Sequence, residues 1–137
     1  MGREQPQMQF ITGRSIRLLL VDDHAMTRIA IRGVLANQSD IEILGEADDG
    51  VEAIRLAARL QPDVIVMDIY LPRMTGIDAA RHIKTRFPRM AIVGLSAYAN
   101  EQRDTMQAVG ASAVVPKEKI VEQLHAAIRL AAQETRR

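Results

Sequence analysis

Five short aliphatic runs punctuate the chain: Ile16 to Val21, Ile41 to Ala47, Val64 to Met67, Ala91 to Leu95 and Ala113 to Val115. They are rich in Val, Ile and Leu. Such continuous runs suit strands buried on both faces of a parallel sheet. The segments between them have a helical period instead. Met26, Ile29, Ala30 and Val34 follow the first run, Val51, Ile54 and Ala58 the second, and Ile77, Ala80, Ile83 and Phe87 the third. Ile120, Leu124, Ala127, Ile128 and Ala131 form the clearest stripe, on a helix expected to end near Gln133. We read every stripe as a core-facing helix surface. The segment from Asn100 to Val109 has little apolar face beyond Met106 and Val109, and is expected to dock loosely.

Strand and helix therefore alternate five times. That order predicts an α/β domain, a parallel sheet covered by helices on both faces through right-handed crossovers. The expected domain spans 16–133. Residues 1–15 read as a polar leader and 134–137 as a tail. Asp48-Asp49-Gly50 and Pro62-Asp63 read as turns.

Composition narrows the function. A chain of 137 residues can bury one core without staples, and its 47% apolar and 26% charged residues are those of a globular protein. The absence of Cys removes disulfides, thiolate metal sites and thiol catalysis. A net charge of +1 gives no global field for nucleic acid, and two Phe, two Tyr and no Trp give little base stacking. No stretch approaches a membrane span or a signal peptide, so cytoplasmic location is the expectation. The three His show no metal-ligand spacing.

In open α/β sheets, ligands bind beyond the carboxyl ends of the strands. Here the first run ends in Asp22-Asp23, the third in Asp68, the fourth in Ser96, and the fifth near Lys117. Asp63 lies at the other end of the sheet, on the order of 16 Å from Asp68. Asp48 and Asp49 follow what should be an edge strand. Singly, each rim residue has a plainer reading: an Asp pair before a helix as an N-cap, a Ser as a turn residue, a Lys as a surface charge. Together they describe a site. Three carboxylates about 5 Å apart repel by about 3 kcal/mol per pair at an effective dielectric near 20. One divalent cation and Lys117 balance them, and hard oxygen donors suit Mg²⁺.

Several motifs carry a resemblance. Val21-Asp22-Asp23-His24, Pro62 to Asp68, Leu71-Pro72-Arg73-Met74-Thr75-Gly76, Leu95-Ser96-Ala97, and Gly110-Ala111 leading to Lys117 match, in order and spacing, the receiver domains of bacterial response regulators in two-component systems. The chain looks most like the receivers of regulators with a helix-turn-helix output domain. The resemblance implies a flavodoxin-like (βα)5 sandwich with strand order 2-1-3-4-5. It implies Asp68 as phosphoacceptor and Mg²⁺ held by Asp23, Asp68 and the Tyr70 backbone carbonyl, with Asp22 acting mainly through water. Ser96 would bond the phosphoryl oxygen, and Lys117 would pair with Asp68 or its phosphate. The donor would be a phosphohistidine on a sensor histidine kinase or phosphotransfer protein. The domain would be a switch of partner affinity, promoting only its own phosphorylation and dephosphorylation. Homodimerisation through the last helix, or through the face of helix 4, strand 5 and helix 5, is a further expectation, without nucleic acid or membrane contact.

The chain departs from the family in two places. Val114 stands where an aromatic switch residue is frequent. Pro116 precedes Lys117 and Glu118 follows it, where many members have Pro after the Lys. Three other classes fit less well. A haloacid-dehalogenase-type phosphatase needs a second carboxylate at the position of Tyr70. A flavin or nucleotide binder would place its phosphates against Asp22 and Asp23. A receiver-like docking module has no need of the full acidic set. Tyr70 and Tyr98, each two residues beyond a rim residue, are candidates for shielding an acyl phosphate from water.

Overall fold

The computed structural model describes residues 14–97 and 102–135. The elements are β1 (Ile16–Val21), α1 (Ala25–Leu35), β2 (Ile41–Ala47), α2 (Gly50–Leu60), β3 (Val64–Asp68), α3 (Gly76–Arg86), β4 (Ala91–Ser96), α4 (Arg103–Ala108), β5 (Ala113–Pro116), a 3-10 turn (Lys117–Lys119) and α5 (Ile120–Thr135). The five strands form one parallel sheet in the order β2-β1-β3-β4-β5. Each expected strand is present, and β3, β4 and β5 each run one residue further than the aliphatic pattern, into Asp68, Ser96 and Pro116.

The sheet divides the core into two layers because strand side chains alternate. Leu19, Val21, Ile65, Met67, Ile92 and Val114 face α2, α3 and α4. Leu18, Leu20, Val64, Val66, Val93, Leu95 and Val115 face α1 and α5. Both sides of β1, β3 and β4 are buried, which is why those runs lack polar alternation.

Two helix faces differ from the sequence expectation. Met26 and Ile29 of α1 are 75% and 60% exposed, and Ala30 is exposed as well. The inner face is carried by Ile31 and Leu35, with Val34 beside them. On α2, Val51 is exposed, whereas Ala53, Leu56 and Ala57 are buried and Ile54 packs against them. Small alanines let α2 sit close to the sheet, and a search for bulky spaced residues overlooks them. The stripes on α3 and α5 face inward as expected. Glu134 and Thr135 are the end of α5 rather than a tail, and Ser112 Oγ donates to Glu134 at 2.7 Å. The helix expected from Asn100 is the six-residue α4. Its single anchor is the fully buried Met106, while residues 98–101 and the leader up to residue 13 lie outside the described residues.

Candidate functional site at the carboxyl rim of the sheet

Strand register brings the rim residues together. Val21 of β1 pairs with Met67 of β3, so the next residues, Asp22 and Asp68, are neighbours. Asp68 pairs with Leu95 of β4, which puts Ser96 one step beyond. Ser96 pairs with Pro116 of β5, and Lys117 follows directly.

The resulting cluster is buried and charged. Asp22, Asp68 and Ser96 are 1%, 2% and 2% exposed. Lys117 Nζ donates to Asp68 Oδ2 at 2.9 Å and lies 3.0 Å from Asp22 Oδ2, there as an ion pair without hydrogen-bond alignment. Asp68 Oδ1 accepts from Tyr70 N–H at 3.1 Å. Asp23 is more open to solvent, with its side chain about one-third exposed. Neither Asp caps α1. The N-cap is His24, whose N–H donates to Asp22 Oδ1 at 2.8 Å. The N-cap reading of the acidic pair is thereby replaced.

Asp68 and Lys117 respond to this setting. Burial pushes the Asp68 carboxyl above its ordinary range, opposed by the hydrogen bonds from Lys117 and Tyr70 and reinforced by Asp22. Burial presses the Lys117 ammonium down, but Asp68 and Asp22 together outweigh it and hold its pKa above the ordinary value. Three carboxylates against one ammonium leave the crevice two charges negative.

The donor set fits a divalent cation. Asp22, Asp23, His24 and Asp68 each offer a ligand atom within 4.8 Å of the others. The carboxylates are the hard oxygen donors that Mg²⁺ prefers. His24, set aside in the sequence with the other histidines, lies in this group, its Nδ1 3.1 Å from Asp22 Oδ1 and 3.3 Å from Asp23 Oδ1. Asp63 is at the opposite end of β3, accepting from Arg17 N–H at 2.9 Å.

Two positioning features were not legible in the sequence. Arg28 donates to the Asp22 backbone carbonyl and, at 2.6 Å, to Glu46, which also binds Arg32. The Arg32 hydrogen bond leads the causes that hold the Glu46 carboxyl below its ordinary range. Gly76 is required by proximity. A Cβ there would lie 2.0 Å from the Asp68 carbonyl oxygen, so only glycine lets α3 begin against the end of β3.

With this geometry in hand, comparison with known proteins is specific. Residues 18–129 match the family model of the response regulator receiver domain. The chain belongs to this family and is a receiver domain of two-component response regulators. It is 38% identical over 110 residues to a protein-glutamate methylesterase/protein-glutamine glutaminase of Pyrococcus abyssi, covering 78% of this chain and 30% of that protein. It is 42% identical over 88 residues to the transcriptional regulatory protein LiaR of Bacillus subtilis, covering 64% of this chain and 42% of that protein. The chain thus spans well under half the length of either. The response regulator domain of Thermotoga maritima CheB superposes with a TM-score of 0.81 at 30% identity, covering 88% of this chain and 98% of that one. A LuxR-family two-component response regulator from Aurantimonas superposes at 0.74 with 28% identity, covering 89% and 96%. Among the described residues, no helix is long and apolar enough to cross a membrane.

Proposed function

We propose that Asp68 is the phosphoacceptor, and that Asp22, Asp23, Asp68 and the Tyr70 backbone carbonyl hold Mg²⁺ beside it. The observation that carries this reading is the meeting of buried Asp22, buried Asp68 and Lys117 at one point, from three separate strands. In the transfer, a carboxylate oxygen of Asp68 attacks phosphorus of a phosphohistidine. The P–N bond breaks, and the departing imidazole takes up a proton. Bound Mg²⁺ would neutralise charge on the phosphoryl oxygens. Lys117 adds a fixed positive charge beside Asp68, and its bond to Asp68 Oδ2, with the Tyr70 N–H on Oδ1, holds the nucleophile in one orientation. Ser96 would donate its hydroxyl to a phosphoryl oxygen.

The donor is read as a sensor histidine kinase or histidine phosphotransfer protein in the cytoplasm of a bacterium. The exposed Met26 and Ile29 lie on α1 three and six residues after Asp23, and offer such a partner an apolar foothold. The domain is a switch rather than a turnover enzyme. A homodimer through the face of β5 and α5 is supported by the exposed Leu130, and light scattering before and after phosphorylation tests it.

The test of the main reading is incubation with acetyl phosphate and Mg²⁺ followed by intact mass measurement. Wild type gains one phosphoryl group and Asp68→Asn gains none. Equal gain in both proteins overturns the assignment.

A further inference from the structure

The loop from Ile69 to Thr75 joins Asp68 to α3, and backbone bonds fix its ends. Ile69 N–H donates to the Leu95 carbonyl at 3.0 Å, and Gly76 N–H to the Ile69 carbonyl at 2.7 Å. Buried Ile69 and Leu71 flank Tyr70, which is 42% exposed. At the crown, Met74 N–H donates to the Pro72 carbonyl at 2.7 Å around Arg73, whose φ is 66°. A three-residue turn with positive φ at its centre is rare and strained, and a side chain there adds to the cost. Glycine would relieve it. An arginine stands there instead.

Its guanidinium accounts for that choice. Arg73 Nε and Nη2 donate to Asp49 Oδ2 at 3.0 and 2.6 Å. Asp49 is buried, and its other oxygen caps α2 by accepting from Glu52 N–H at 2.8 Å. The next residue, Gly50, lies directly beneath the loop, since a Cβ there would come 2.4 Å from the Met74 carbonyl oxygen. The crown of the loop is therefore held on the N-terminus of α2 by an ion pair and by backbone set against glycine.

We propose that Arg73 and Asp49 are a positioning pair, which keeps this loop seated so that the Tyr70 backbone stays aimed at Asp68 and at the cation beside it. The inference rests on the reading of the crevice as a Mg²⁺ site. Neither residue touches the cation. They act through Tyr70, three residues before Arg73. The strained turn is tolerated because it carries the guanidinium to Asp49.

Two substitutions separate positioning from simple stabilisation. Arg73→Gly removes the ion pair while relieving the backbone. Asp49→Asn removes the charge while keeping a side chain able to cap α2. Mg²⁺ affinity is read by titration calorimetry on the full chain, and fold stability by the thermal midpoint in EDTA. Both variants are expected to bind Mg²⁺ about tenfold more weakly, the Arg73→Gly midpoint is expected to stay at or above wild type, and the double variant is expected to bind no more weakly than either single one. Wild-type affinity in both single variants overturns the pair. A wild-type chain that binds no Mg²⁺ overturns the crevice reading on which the pair depends.

Discussion

Lys117 Nζ sits 2.9 Å from Asp68 Oδ2 and 3.0 Å from Asp22 Oδ2, although 49 residues separate it from Asp68 in the chain. One ammonium thus serves two carboxylates that are almost fully buried. Removing it leaves both without their counter-charge. Lys117→Ala is expected to lose about 3 kcal/mol of stability in EDTA, within the range for breaking a buried ion pair. Urea unfolding checks this, and a loss under about 0.5 kcal/mol would place the ammonium outside the fold's electrostatics.

The raised pKa of Asp68 has a defined sign. Its ordinary value is 3.8 and burial raises it in the fold, so the folded protein binds the proton more tightly than the unfolded chain. The associated stability is present below the ordinary value and is lost as pH rises through the folded one. In EDTA, the stability of wild type relative to Asp68→Asn is expected to improve as pH falls through the folded pKa toward the ordinary value of 3.8. Denaturant midpoints across that window measure it, and a flat difference contradicts it.

Divalent binding should reverse this penalty. A cation that binds only the folded state stabilises it by RT ln(1 + [L]/Kd), about 1.4 kcal/mol at ten times Kd. Mg²⁺ is expected to raise the thermal midpoint of wild type, and to do so far less for Asp23→Asn. Equal rises in the two proteins would remove Asp23 from the site.

Much of this was legible in the sequence, for definable reasons. The strands were, because β1, β3 and β4 are buried on both faces and leave predominantly aliphatic runs. The rim was in part: a parallel sheet sends every strand end to the same edge, but the strand order that sets Asp22, Asp68, Ser96 and Lys117 side by side, and leaves Asp48 and Asp49 beyond β2, came from the resemblance. The α1 face was misread. Met26 and Ile29 carry a helical spacing that serves the exterior, and periodicity alone does not distinguish a core stripe from an exposed one. The contact of Arg73 with Asp49 was invisible, since it spans 24 residues and depends on a turn conformation that Arg seldom adopts. Asp49 was set aside as part of an edge turn, and its buried, three-bond environment appears only in the fold.

The exposed α1 face yields a kinetic prediction. Met26→Asp places a charge on the apolar surface beside Asp23 without touching the core. Phosphotransfer from a partner histidine kinase is expected to slow by about tenfold, roughly 1.4 kcal/mol, while the rate with acetyl phosphate stays at wild type. Equal slowing with both donors would mean that the substitution disturbs the crevice instead.

Propagation beyond the crevice is open to amide exchange. Ser96 closes β4, and α4 beyond it is six residues long with Met106 as its buried anchor. Phosphorylation of Asp68 would add strong acceptors in front of Ser96, and drawing Ser96 inward would pull on α4. Exchange over Ser96 to Val109 is expected to change on adding beryllofluoride and Mg²⁺. An unchanged profile would argue against this route, which has no aromatic at Val114 to relay it.

Chemical mapping of the acceptor discriminates most sharply. An acyl phosphate on a carboxylate is reduced by borohydride to the corresponding alcohol, so a phosphorylated aspartate becomes homoserine at its own position. After treatment with acetyl phosphate and Mg²⁺, peptide mass spectrometry should find homoserine at residue 68, and at wild-type level only when Mg²⁺ is present. Homoserine at 22 or 23 instead, or equal labelling at 68 in EDTA, would contradict a nucleophilic Asp68 working beside a bound cation.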